Sequence, residues 1–252
     1  MKFPTRRSTK GLALSSLAFC FLSGAANAAS VVTAGHIDAP AFGYVPGDGF
    51  EPHIHNEGGP DGAIIDGVRV ETNEEYEPTD LIFQVQLSST TTVDTTDYYW
   101  LPEVDVDANN NNVPWMGIGF EELVETVENT ANLDFVNDTF TISLNVISAP
   151  TGAEFRMWQD DGFGGANDFI NTATNDLSFD HNPFLADQDH IHVNWGFTEQ
   201  GTYELEFTIT GTRVGETESE SASGVYTFAV PEPSTTLLGA LGGLFLLRRR
   251  RN

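Results

Sequence analysis

Asp189-His190-Ile191-His192-Val193-Asn194-Trp195-Gly196-Phe197, continued by Gly201-Thr202-Tyr203-Glu204-Leu205-Glu206-Phe207-Thr208-Ile209-Thr210, alternates polar and apolar side chains with a period of two. Residues two apart on a strand point to the same face. His190, His192 and Asn194 are therefore expected on one face, and Ile191, Val193 and Trp195 on the other. Such a strand is half core and half site. Similar alternation recurs at Leu81, Phe83, Val85 and Leu87, at Phe140, Ile142, Leu144 and Val146, and over residues 225–230. Ser30 to Ala34 reads as a further short strand, and the Gly- and Pro-rich run Ala39 to Glu51 as an ordered loop. Helical periodicity is weak, and Glu121 to Glu128 is the best short-helix candidate. Many strands buried on one side predict an all-β fold, an antiparallel β-sandwich or jelly roll with long loops, forming one domain over residues 29–230.

The chain has 252 residues and a formal net charge of −26, with 11 Lys and Arg against 37 Asp and Glu. Most of the positive charge lies at the two ends. Residues 29–230 hold three basic side chains (Arg69, Arg156 and Arg213), while Glu232 alone of the 37 acids lies outside that span. Phosphate recognition needs clustered Lys and Arg, so nucleic acid is not an expected partner. Divalent cations and salty media suit such a surface.

Residues 1–28 read as a secretory signal peptide. A basic start precedes the apolar run Gly11 to Leu22 and the small-residue site Ala26-Asn27-Ala28. The single cysteine, Cys20, lies inside this segment, so the exported domain carries no thiol. Any metal must be held by His, Asp, Glu, Asn or backbone oxygen.

At the other end, Pro231-Glu232-Pro233 precedes the apolar run Leu237 to Leu247 and the cluster Arg248, Arg249, Arg250 and Arg251. Residues 231–252 resemble the PEP-CTERM sorting signal of Gram-negative bacteria. The resemblance implies an exosortase-type partner, transient residence of a short transmembrane helix in the inner membrane, and delivery to the cell surface or extracellular matrix. At 1.5 Å per residue such a run is about 16 Å long, short of the ~30 Å hydrocarbon core.

Five of the six histidines fall in three short motifs: Gly35-His36-Ile37-Asp38, His53-Ile54-His55-Asn56-Glu57 and Asp189-His190-Ile191-His192. A His-x-His pair on a strand offers two ring nitrogens to one ion. His36, His53, His55, His190 and His192 are therefore expected to form one site for a divalent transition metal, with zinc, copper and manganese as candidates. Asp38, Glu57 and Asp189 flank the histidines and are placed to orient their rings. Calcium is a further candidate cation at two acidic stretches. Asp105 to Asn112 begins like a calcium loop, but has Asn110 at the sixth place and Met116 at the twelfth. Asp160 to Asp168 is the other.

Several motifs, taken together, resemble the choice-of-anchor M surface domain, related to the actinobacterial surface-anchored repeat. They are Gly35 to Asp38, His53 to Glu57, Trp100-Leu101-Pro102 with Pro114 to Gly119, Met157 to Gly164, and His190 to Phe197 with Gly201 to Tyr203. The resemblance implies surface display, association in some members with metal-type transport systems, and no established enzymatic activity. It makes a non-enzymatic, surface-displayed metal-binding protein the expected function. Two other readings remain open: a metalloenzyme using the same histidines, and a structural matrix protein whose histidines only brace loops. Trp100, Trp115, Trp158 and Trp195 leave surface polysaccharide as a candidate partner.

Overall fold

A computed structural model describes residues 28–130, 133–163 and 165–232. The expected signal peptide up to residue 27, Pro233, the apolar run and Arg248 to Arg251 lie outside the described residues. The chain opens with the long strand β1 (Ser30–Val45) and β2 (Gly49–Asn56). Short strands follow: β3 (Ile64–Ile65), β4 (Val68–Arg69), β5 (Glu74–Tyr76), β6 (Leu81–Gln84), β7 (Thr90–Val93) and β8 (Thr96–Leu101). Helix α1 (Asp105–Asn111), strand β9 (Pro114–Gly119) and helix α2 (Glu121–Asn129) come next. The second half is β10 (Phe140–Ser148), β11 (Phe155–Asp160), β12 (Ala166–Asn171), β13 (Ser178–His181), β14 (His190–His192), β15 (Asn194–Phe197), β16 (Gly201–Gly211) and β17 (Glu220–Val230).

The strands form two sheets, one of twelve strands and one of five in the order β12-β11-β15-β8-β7. This is the all-β sandwich expected from the alternation. Most ladders are antiparallel, but β1 runs parallel to both β6 and β9, and β17 runs parallel to β6. β16 and β17 pair residue for residue from Gly201↔Val230 to Gly211↔Glu220. Tyr203, Leu205, Phe207 and Ile209 are buried on one face, as are Tyr226 and Phe228. Trp195 and Phe197 of the small sheet close on them, with Trp195 5.6 Å from Phe228 and Phe197 5.2 Å from it, ring centre to ring centre. Buried aromatic side chains remove ~150–250 Å² each from water, so this contact between sheets supplies much of the hydrophobic drive for the fold.

Three expectations are corrected. The stretch around His190 is not one strand. It breaks at the fully buried Val193, and the chain passes from β14 in the large sheet to β15 in the small one. Asn194 leaves the histidine face as a result. Its Oδ1 accepts from Trp100 Nε1 at 2.7 Å and from the Glu103 amide at 3.0 Å. Second, Ala39 to Glu51 is mostly strand rather than loop. Its Gly and Pro residues fit because the β1–β2 register shifts between Asp38 and Ala41, and the turn itself is confined to residues 46–48. Third, the acidic, Asn-rich stretch from Asp105 is not a solvated loop but helical over Asp105–Asn111, which also rules out an EF-type calcium loop there. Asp105 and Asp107 sit in the first turn, where the helix dipole favours acids, Ala108 is buried, and left-handed Asn112 ends the helix.

Candidate metal centre

Three neighbouring strands of the large sheet build the centre. His36 and Asp38 lie two apart on β1. β9 runs beside it, with Trp115 opposite His36 and Gly117 opposite Asp38. β14 flanks β9 on the other side, with His192 opposite Gly117 and His190 opposite Gly119. The intervening residues Ile37, Met116, Ile118 and Ile191 are buried in the core. The two outer strands thus contribute ligand-bearing side chains, while the middle strand contributes glycines. A Cβ on Gly117 would stand 2.5 Å from His190 Nε2 and closer still to Asp38 Oδ1. Only glycine leaves room for the groups to meet over β9.

One potential ligand atom from each of His36, Asp38, His190 and His192 lies within 4.8 Å of the others. Nε2 of His36 and Nε2 of His190 are 3.3 Å apart. Asp38 Oδ1 lies 2.9 Å from His190 Nε2 and 3.6 Å from His36 Nε2. The outward nitrogens face acceptors. His192 Nδ1 donates to the Met116 carbonyl at 2.9 Å. A carbonyl can only accept, so neutral His192 keeps the lone pair on Nε2. His190 Nδ1 is 3.0 Å from Glu121 Oε1, and His36 Nδ1 is 3.5 Å from Glu57 Oε2. Outer acceptors of this kind fix ring orientation and tautomer around metal-binding histidines. Trp115 holds His192 by stacking, with ring centres 3.9 Å apart and planes within 7°.

Asp38 is fully buried, and neither carboxylate oxygen has a hydrogen-bond partner. The short approach of His190 is not aligned as a hydrogen bond, so proximity is not satisfaction. Burial alone would raise the Asp38 pKa, but the attraction of His190 and His36 outweighs it and holds the carboxyl well below its ordinary range. Burial likewise works to lower His190, but Asp38 and Glu121 overcome it and push the imidazole up to about 10. His192 moves the other way. Burial and the positive charge on His190 bring it down to about 4, leaving it neutral at pH 7.

The five histidines expected in one site do not all meet there. His53 falls in a separate group with Glu75 and Glu122, its Nε2 3.5 Å from Glu122 Oε2. His55 Nε2 faces Asn73 Oδ1 at 3.1 Å. Both lie on β2, across β1 from β9 and β14, and His55 stands opposite Asp38 with its ring turned to Asn73. His53 stands opposite Ala41, three residues beyond Asp38 and so about 10 Å along the strand at ~3.3 Å per residue. Of the flanking acids, Glu57 joins Asp38, Glu121 and His190 in a second overlapping group. The Asp189 backbone carbonyl accepts from the Phe120 amide at 2.8 Å, and Asp189 also lines the cavity beside the centre. That cavity has a volume of about 570 Å³ and is bordered as well by Asp61, Asp187 and Trp115.

Glu121, Gly117 and Gly119 were not singled out from the sequence as site residues. Their signal was the spacing Gly-x-Gly followed by an acid-rich helix start. The other acidic stretch is built as a turn, in which Asp161 Oδ1 accepts from the Phe163 and Gly165 amides. Asp168 is paired there with Arg156 at 2.7 Å. Trp158 and Trp195 are buried and present no face to a sugar.

Residues 229–251 match the PEP-CTERM protein-sorting motif. No curated protein and no solved structure matches the chain. The motif marks proteins exported across the inner membrane to the cell surface of Gram-negative bacteria and recognised by exosortase. β17 ends at Val230, so Pro231 and Glu232 follow directly on the last strand of the domain. Among the described residues no helix is long and apolar enough to cross a membrane.

Proposed function

We propose that this exported domain holds a transition-metal cation at the cell surface, without catalysis, through His36, Asp38, His190 and His192. Asp38 carries the reading. A fully buried carboxylate is costly unless positive charge faces it, and Asp38 has His190 Nε2 at 2.9 Å and His36 Nε2 at 3.6 Å. Here it is ringed by three imidazoles whose outer nitrogens face acceptors: the Met116 carbonyl, Glu121 and Glu57. A cation bound by Asp38 and three Nε2 atoms would satisfy all four groups together. Three imidazoles and one carboxylate fit tetrahedral zinc best, with copper and manganese as competitors. Four protein ligands fill a tetrahedral sphere, as in sites that retain a metal, whereas catalytic zinc keeps a position for water. The acidic surface of residues 29–230 would raise the local cation concentration. The domain motifs support membership of the choice-of-anchor M type, in keeping with surface display.

Zinc added to metal-free protein should raise its melting temperature, and a chelator should reverse the effect. At a hundredfold excess over Kd, binding to the folded state alone adds about 2.7 kcal/mol. The double variant His190→Ala, His192→Ala should lose most of the response. His181→Ala should keep it, because His181 is bonded to the Gln188 carbonyl and stacked on Phe120 away from the centre. An unchanged response in the double variant would count against the reading.

A further inference from the structure

The second group of titratable side chains has its own chemistry. His53 comes from β2, Glu75 from β5 and Glu122 from the first turn of α2. One ligand atom of each lies within 4.8 Å of the others. His53 is 7% exposed, and its Nδ1 faces the Glu51 carbonyl at 2.9 Å. Nδ1 must be the donor there, so the lone pair of the neutral ring sits on Nε2. That Nε2 is buried without a hydrogen-bond partner and points at Glu122 Oε2. With His53 neutral and both glutamates ionised, the three converging groups are all acceptors. Gly43 borders the group, with a Cβ position there 3.1 Å from Glu122 Oε2 and 3.7 Å from His53 Cε1.

We propose that His53, Glu75 and Glu122 bind a second divalent cation, separate from the one at Asp38. One imidazole and two carboxylates make a harder donor set than three imidazoles and one carboxylate. This site would therefore accept manganese more readily than the first, and zinc as well. The two sites meet at the start of α2. Glu121 turns toward His190 and the adjacent Glu122 toward His53. The five histidines thus divide between two sites of different hardness, His36, His190 and His192 in one and His53 in the other, with His55 in neither.

Equilibrium dialysis of the metal-free protein against zinc chloride, with metal analysis, tests this independently of the first site. The wild type should bind about two equivalents. Glu122→Gln and, separately, His53→Gln should each bind about one. Glu122 is 36% exposed, so replacement by the same-sized, uncharged Gln should leave the fold intact. The double variant His190→Ala, His192→Ala should also bind about one, and manganese(II) titrated into it should lose its free-ion paramagnetic resonance signal. One equivalent in the wild type, unchanged by Glu122→Gln, would overturn the second site and leave a proton as the group that bridges the carboxylates. Two equivalents retained in the double-histidine variant would instead overturn the first site.

Discussion

Gly117→Ala is expected to abolish tight metal binding while leaving a folded protein. The added Cβ would enter the space in which Asp38 Oδ1 and His190 Nε2 meet, with His190 Nε2 only 2.5 Å away. Those atoms belong to fully buried Asp38 and partly buried His190, which β1 and β14 hold on either side of β9. They must separate, and a ligand set opened by an ångström no longer matches zinc–ligand distances of ~2.0–2.2 Å. Zinc affinity should fall by at least the ~10–100-fold seen when groups supporting metal ligands are lost. The overpacking itself should cost about 1–3 kcal/mol of stability. Ile118→Val on the same strand provides the contrast. It removes one methylene from the core face, costs about 0.5–1.5 kcal/mol, and should leave zinc affinity unchanged. Competition titration against a chromophoric chelator reads both variants. Wild-type affinity in Gly117→Ala would show that the ligands do not assemble over this glycine.

The second large effect is on pH. His190 of the metal-free site holds its proton up to about pH 10 because Asp38 and Glu121 outweigh the opposing effect of burial. A metal must displace that proton, so zinc affinity should rise about tenfold for each pH unit. Between pH 6 and pH 8 the gain should be about a hundredfold, and calorimetry in buffers of different ionisation enthalpy should register the released proton. Affinity flat across this range would exclude His190 as a ligand. The metal-free protein should behave differently. The raised His190 contributes stability that is fully present below its unfolded value of ~6.5 and is lost as pH climbs toward 10. The lowered His192 contributes stability present above ~6.5 and lost as pH falls toward 4. The two histidines together therefore favour a stability maximum near pH 6.5 without metal, and zinc should shift that maximum upward.

The strands that carry the core were legible because burial on one face imposes a period of two. The first half of β10, β16 and the end of β17 show it in both sequence and burial, whereas Val146 at the end of β10 is exposed. The break at Val193 was not legible. Ile191, Val193 and Trp195 keep the alternation while the chain changes sheets, so a periodicity argument sees one strand. Helix α1 was hidden for another reason. An Asn-rich run has weak helix propensity, and buried Ala108 with the left-handed end at Asn112 decides its structure. The histidine motifs marked β1, β2 and β14, but neither the middle strand β9 nor which histidines would meet was legible. That depends on strand pairing, which sets β9 and β14 along one edge of β1 and β2, with His53 and His55, along the other. Glu121 was legible as the start of a helix and not as a neighbour of His190, since only the β9–α2 connection brings it there.

Anomalous diffraction from crystals of the protein grown with zinc, recorded at the zinc edge, tests the central claim most directly. The expected result is a strong peak over Gly117, ~2.0–2.1 Å from Nε2 of His36, His190 and His192 and ~2.0–2.2 Å from an Asp38 oxygen. No peak at Asp38, with His190 instead hydrogen-bonded to the carboxylate, would contradict the account.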